Sequence, residues 1–429
     1  MDFLRNKNYF INFLNNSLFT VLCFLPIILI TGPFLSDLIV VTSSILFFFL
    51  IILKKEIYYL KHPLFLIFLI WCLYLIVLSL MSSNIFLSLE SSLFYFRFGF
   101  FTLSIIYILR NNKNFVKFFF FSIFFSFSIL IFDSFLQFFS GKNLIGLPYS
   151  GNRISSFFGE EKILGSYFSR ILPIFLALTI YLDFKKKYKI LIIIFFFILI
   201  DILVYLSGER TAFFFLIFSS LLMIFLVGNF KYLRISAFLF SILIIFFISI
   251  FNPSIKNRMI DKTLVQTNIL SDEINLFSLQ HQVIYESSYK IFVDNKIFGI
   301  GPKMFREICK KQKYEVRTDL DHSVNGCQTS PHNYYLQLFT ETGIIGAIPV
   351  ITLFFFIIYI FFRQIYTRLV KKQNYISDFQ TFLYIALFIT IWPFVPTGNF
   401  FNNYISIIHY LPIGFLIFSY DKNIYINKP

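Results

Sequence analysis

His332 lies in Ser330-Pro331-His332-Asn333, ahead of a long apolar run. Serine suits a helix N-cap and proline the first helical position, so this order predicts a helix starting here with His332 in its first turn. The positive end of the helix dipole disfavours imidazolium, leaving a neutral ring able to accept a proton near pH 7. Two readings fit: a general base, or an interfacial histidine capping its helix. Arg210 follows Ser207-Gly208-Glu209 at the head of another apolar run. There its charge opposes the dipole of its own helix and needs local compensation, either from Glu209 or from an anionic ligand. Arg153 and Arg170 flank Ile154–Phe158 and the acidic pair Glu160-Glu161, and can converge on the same anion. Taken singly, each arginine also reads as a snorkelling anchor. Arg97 and Asp133 differ in lying inside apolar runs, each about six residues from the outer end of its helix. Matching depth in consecutive helices predicts a structural ion pair, because a charge in a bilayer must be paired or hydrated.

The remaining candidates are weaker. Gly299-Ile300-Gly301-Pro302 lacks the third glycine and the lysine-serine pair of a phosphate loop, and reads as a turn closing a helix around Leu279–Val293. Cys23 and Cys72 fall in apolar runs, whereas Cys309 and Cys327 share the longest polar stretch. No CxxC or Cys/His metal spacing is present. For Cys309 and Cys327 a disulfide and two free thiols are both open.

The elements that must hold these residues follow from composition. The 429 residues are 58% hydrophobic, 22% aromatic and 14% charged, with 66 phenylalanines. Soluble domains average roughly 25% charged residues, so a soluble globule is excluded. A net charge of +15 matches positive-inside loops and anionic lipid, and no nucleic-acid-reading motif accompanies it. Apolar runs give twelve expected spans, at 9–31, 34–53, 63–82, 91–109, 118–139, 165–182, 190–206, 211–227, 235–251, 334–362, 379–396 and 404–420. Basic residues such as Lys54, Lys55, Arg110, Lys113, Lys185–Lys187, Lys231, Arg363 and Lys371 fall on alternate breaks, which makes those breaks cytoplasmic. Both chain ends then share that side, and the first run reads as an uncleaved helix. Two longer outer segments interrupt the tight turns, 140–164 and 252–333, the second carrying His281, His322 and His332. The expected organisation is 1–251 with nine spans and outer loop 140–164, an outer subdomain at 252–333, and 334–429 with three spans. The fold class is thus an all-α polytopic membrane protein.

Three stretches in this order resemble the O-antigen ligase family and the related Wzy-type O-antigen polymerases. Pro331-His332-Asn333-Tyr334-Tyr335-Leu336-Gln337-Leu338-Phe339-Thr340-Glu341-Thr342-Gly343-Ile344-Ile345-Gly346 is similar to the family's H-N-x-x-L-x-x-x-x-E-x-G-x-x-G. Ile291–Pro302 resembles its helix followed by P-L-[IL]-G-x-G, with Lys296 in place of the proline. Ser207-Gly208-Glu209-Arg210-Thr211-Ala212 resembles its S-G-S/E-R-x-A element. The family often has an arginine opening the loop helix, where this chain has His281 or its neighbours; Arg258 and Arg306 are alternative replacements.

The resemblance implies a GT-C-like fold in the bacterial inner membrane with an active site facing the periplasm. It implies transfer of a glycan from undecaprenyl diphosphate to an acceptor hydroxyl, with no metal, cofactor or nucleotide sugar. In that chemistry His332 is the general base and Arg210 and Arg153 bind the departing diphosphate, with Arg170 converging on it. Asn333 orients the histidine or a sugar hydroxyl, and Glu341 holds an arginine. The acceptor is the lipid A core for a ligase and a second lipid-linked glycan for a polymerase. A flippase or transporter also needs many helices, but would place its polar residues near the midplane rather than at the outer edge.

Overall fold

A computed structural model describes residues 2–267, 275–317 and 325–426, with side chains from 7 to 421 apart from the same internal gaps. His322 lies outside the described residues. The structure is 75% helical, and among the described residues it contains only the isolated bridges Lys142–Pro148 and Arg317–Asn325 in place of any strand. In chain order the helices are α1 (Asp2–Ile28), α2 (Pro33–Leu53), α3 (Pro63–Leu80), α4 (Ile85–Ser92), α5 (Arg97–Asn111), α6 (Phe115–Ser140), α7 (Leu164–Tyr181), α8 (Lys186–Leu206), α9 (Arg210–Leu226) and α10 (Lys231–Phe251). There follow α11 (Pro253–Lys256), α12 (Lys262–Thr267), α13 (Leu279–Asp294) and α14 (Phe305–Ile308), then α15 (Tyr334–Val370), α16 (Asp378–Thr390) and α17 (Asn403–Ile426).

A helix stands at each of the twelve expected positions, and among the described residues nine segments, counting α4–α5 as one, are long and apolar enough to cross a bilayer. Helices α9 and α16 are apolar but shorter. At 1.5 Å per residue the 13 residues of α16 rise about 20 Å, against a hydrocarbon core of about 30 Å. The expected span to 396 is cut at Thr390 because Pro393 and Pro396 follow, and proline cannot supply helical N–H donors. The all-α polytopic membrane architecture is therefore the observed one.

The bundle core is built largely of aromatic rings, as in the stacked pair Phe120–Phe175 (centroids 5.1 Å apart) joining α6 to α7. Helix α16 packs on α7, α17 on α5, α1 on α2 and α6, and α10 on α8. The segment carrying α13 and α14, the expected outer subdomain, has its own small core of Ile284, Ile291, Met304, Phe305, Ile308, Cys309 and Tyr314. Cys309 and Cys327 are joined there in a disulfide with Cα atoms 5.1 Å apart.

The expected Arg97–Asp133 pair does not form. Arg97 pairs with Asp37 near the start of α2 (Nη2–Oδ1 2.9 Å) and also donates to Asn403 Oδ1 at 2.8 Å. Asp133 instead accepts from the Ser156 hydroxyl, the Leu144 N–H (2.8 Å) and Asn143 Nδ2 (3.3 Å). Arg97 opens α5 rather than lying six residues inside it, and the face of α5 carrying it packs on α2, since sequence position does not fix which way a side chain points around its helix.

Helix α15 is broken at Gly343 (φ 65°, ψ −174°), and the Lys296–Gly301 loop closes the break. Ile300 and Gly301 N–H groups donate to the Thr340 and Glu341 carbonyls (3.1 and 2.8 Å), while Ile344 and Ile345 N–H groups donate to Lys296 and Ile297 carbonyls (2.9 and 3.4 Å). The Tyr74 hydroxyl donates to the Thr342 carbonyl at 2.7 Å, and Trp71 Nε1 to the Gly346 carbonyl at 2.9 Å. The Thr340, Glu341 and Thr342 carbonyls before the break and the Ile344 and Ile345 N–H groups after it thus find partners outside the helix, as an interrupted helix in a membrane protein requires. Gly299-Ile300-Gly301 is the expected turn after α13, and it also docks the outer subdomain onto α15.

Candidate functional site

The Ser207–Arg210 turn between α8 and α9 is the centre of the site. Gly208 adopts φ 67°, and a Cβ there would fall 2.7 Å from Arg258 Nε and 2.8 Å from Arg153 Cγ, so only glycine lets both arginines close on the turn. Arg258 Nε donates to the Gly208 carbonyl (2.9 Å), and Arg153 donates to the carbonyls of Ser207 (3.1 Å) and Lys162 (3.0 Å). Arg153 is delivered by the loop after α6, which Gln137 organises by accepting from the Ser155 and Ser156 N–H groups at 3.0 and 2.9 Å. Arg210, exposed at the head of α9, donates to Gln266 Oε1 at 2.5 Å.

Glu209 does not pair with Arg210. Its two oxygens accept the Gly165 and Ser166 N–H groups (2.7 and 3.1 Å) and so cap the first turn of α7. Burial raises its carboxyl to about 6, although those N–H groups and Arg153 favour the charge. Burial, and then the charge of Arg258, lower the Arg153 guanidinium. Among the described residues Arg153, Arg210 and Arg258 form no salt bridge. Three cations thus surround one turn while the nearest carboxylate is committed elsewhere, an arrangement suited to an anion with several oxygens.

His332 does not occupy the first turn of α15. Asn333 is the N-cap, its Oδ1 accepting from the Tyr335 and Leu336 N–H groups (3.0 and 3.2 Å). His332 precedes it in left-handed conformation, φ 52°. Asparagine out-competes Ser330 because its side-chain carbonyl reaches the free N–H groups from the residue next to the helix. The His332 carbonyl accepts from the Thr397 N–H at 2.7 Å and from the Tyr285 hydroxyl at 3.4 Å. The ring is half-buried, and that burial lowers its pKa, so it is neutral at pH 7 as expected, through desolvation rather than the helix dipole.

Sequence reasoning gave His281 no role of its own. Its ring lies 6.2 Å from that of His332. Its Nδ1 meets the Ser278 hydroxyl at 2.7 Å, so the N-cap serine of α13 holds an imidazole instead of capping its helix. Burial, then His332 and Arg210, lower His281 to about 4. Arg210 is therefore within electrostatic reach of His281, whose ring neighbours that of His332.

The other expected residues serve elsewhere. Asn333 caps α15 and donates to the Pro393 carbonyl (2.6 Å). Glu341 accepts from Gln337 Nε2 (2.9 Å) and the Phe305 N–H (3.3 Å), so it fastens the outer subdomain to α15 and holds no arginine in an ion pair. Arg170 stands apart from Arg153 and Arg210: it is 3% exposed inside the bundle, with its guanidinium over the Phe215 ring. Of the three candidates for the loop arginine, Arg258 joins the cation cluster, His281 joins His332, and Arg306 does neither. His409 and Asp201, both buried in helices, were passed over although each is an ionisable residue inside an apolar run.

Fold and site together define a polytopic helical membrane protein with unpaired arginines and neutral imidazoles gathered at one end of its bundle. Residues 192–351 match the family model described as O-antigen ligase. That stretch runs from α8 through the Ser207–Arg210 turn, the α13–α14 segment and His332 past the break at Gly343, and over these residues the chain is similar to the O-antigen ligase family. No curated protein matches the chain.

Proposed function

We propose that this protein transfers a glycan from undecaprenyl diphosphate to an acceptor hydroxyl at the periplasmic face of the bacterial inner membrane. The observation that carries the reading is the cluster of Arg153, Arg210 and Arg258, unpaired with any carboxylate among the described residues, with Arg210 acting on His281, the neighbour of His332. In this reading the acceptor oxygen attacks the anomeric carbon and the bond from that carbon to the diphosphate oxygen breaks. His332 takes the hydroxyl proton as the new bond forms, which a neutral imidazole can do at pH 7. The lipid diphosphate leaves with the bonding electrons, and Arg210 and Arg153 stabilise its charge, with Arg258 supplying the cation that the family's loop arginine supplies elsewhere.

The acceptor we favour is the lipid A core, making the reaction O-antigen ligation. The test is purified protein in liposomes given a lipid-diphosphate-linked glycan and, in separate arms, lipid A core or a second lipid-linked glycan. Product on lipid A core alone supports ligation, and elongated lipid-linked product alone assigns a polymerase. Movement of donor between leaflets with no glycosidic product would replace glycosyl transfer by transport.

A further inference from the structure

Within the bundle, four polar side chains meet, each with a buried atom that has no hydrogen-bond partner. Arg170 on α7 is 3% exposed, Tyr334 on α15 1%, and Tyr404 and His409 on α17 6% and 5%. The unpartnered atoms are Arg170 Nε, the Tyr334 and Tyr404 hydroxyls and His409 Nε2. The groups are neighbours: the Tyr334 and His409 rings are 5.3 Å apart, and the charge of Arg170 acts on Tyr334, Tyr404 and His409. Among the described residues Arg170 meets only uncharged partners, namely the Tyr334 hydroxyl, the Ser166 carbonyl at 3.4 Å and the face of Phe215 at 5.1 Å. It forms no salt bridge among the described residues. Glu209, the acid that also acts on Tyr404, is held by the N–H groups at the start of α7.

The chemistry of the unfilled positions is one-sided. Arg170 Nε can only donate, the phenols can donate, and His409 Nε2 donates in one of its neutral tautomers, while the acceptors already at hand, the Tyr334 hydroxyl and Ser166 carbonyl for Arg170 and the Thr390 carbonyl for the His409 ring, are all uncharged. Water would satisfy the hydrogen bonds but not the charge. A guanidinium inside a membrane helix bundle is costly until something of opposite sign sits beside it. We propose that Arg170, Tyr334, Tyr404 and His409 enclose a binding site for a small inorganic anion of the halide class. The site is separate from the Arg153–Arg210–Arg258 cluster and does not depend on the glycan-transfer reading. Its occupant ties α7, α15 and α17 together directly below the segment that carries His332.

The test uses the full chain in detergent, melted in sodium chloride and in sodium gluconate at equal ionic strength. Chloride should raise the melting temperature saturably, by roughly 2–6 °C, and the rise should vanish in Arg170→Gln and shrink in Tyr404→Phe. Crystals soaked in sodium bromide should show an anomalous peak among the four side chains. Equal melting in chloride and gluconate, or water alone at that position in the bromide map, would overturn the proposal. Both measurements are made on the wild-type protein, so they decide the matter even if Arg170→Gln does not fold.

Discussion

Replacing Gly343 by alanine should undock the outer subdomain from α15. The backbone there, at φ 65° and ψ −174°, lies in a region essentially reserved for glycine, where any other residue costs about 1–3 kcal/mol. The new Cβ would also fall 2.1 Å from the Ile297 carbonyl oxygen and 2.4 Å from its carbon, which are backbone atoms that cannot rotate away. Relief requires the Lys296–Gly301 loop to withdraw, giving up the four backbone hydrogen bonds it makes across the break. At about 1 kcal/mol each, and more for any group left buried and unpaired, their loss brings the total to roughly 5–7 kcal/mol. That is a large share of the stability of most domains. Trp71 donates to the Gly346 carbonyl beside the break, so its fluorescence reports the event directly during thermal or denaturant unfolding in detergent. Gly398→Ala is the control, since a Cβ there meets nothing within 4 Å. If Gly343→Ala unfolds within about 0.5 kcal/mol of Gly398→Ala, the docking role given to this glycine is wrong.

Three further outcomes are expected. Arg97→Met and Asp37→Asn should each destabilise by about 1–3 kcal/mol, and the swap of Arg97→Asp with Asp37→Arg should recover part of it; a swap no better than the sum of the singles speaks against the pair. Cys309→Ser should cost roughly 3 kcal/mol for a closed loop of this length, and unreduced peptide mapping should find Cys309 linked to Cys327, whereas two free thiols would remove the claim. Glu209 is raised from 4.5 to about 6, so the folded state holds its proton more tightly than the unfolded state. Its contribution is fully present below pH 4.5 and falls away, by up to about 2 kcal/mol, as pH rises through 6. Glu209→Gln should remove that slope from melting curves recorded across pH 4.5 to 6.5, and an unchanged slope would assign it to other groups.

The apolar runs made most helices legible, because a bilayer demands long uninterrupted segments whose ends are marked by charge. What sequence could not supply was direction around the helix axis. Arg97 was matched to the wrong acid, and Arg170 was grouped with arginines from which its helix turns it away. Both halves of the Gly343 junction were visible as motifs, but nothing in either shows that one loop supplies the hydrogen bonds the other helix lacks. His332 was recognised as a neutral imidazole, yet its helix starts two residues later because Asn333 caps it. The Ser278–His281 contact was hidden because a serine before a helix ordinarily signals a cap.

The division of labour between His332 and Arg210 is the core of the functional proposal, and single-turnover transfer together with donor binding tests it directly. His332→Ala should lower turnover while leaving binding of the lipid diphosphate donor nearly intact, since a neutral ring contributes little to holding a dianion. Wild-type turnover should fall on the acid side only below the ordinary histidine pKa of about 6.5, because burial lowers that of His332. Arg210→Ala should weaken donor binding as well as turnover, and Arg210→Lys should restore only part of either, lacking the guanidinium fork. Wild-type turnover in His332→Ala would contradict the account and return His332 to the role of an interfacial residue ahead of its helix.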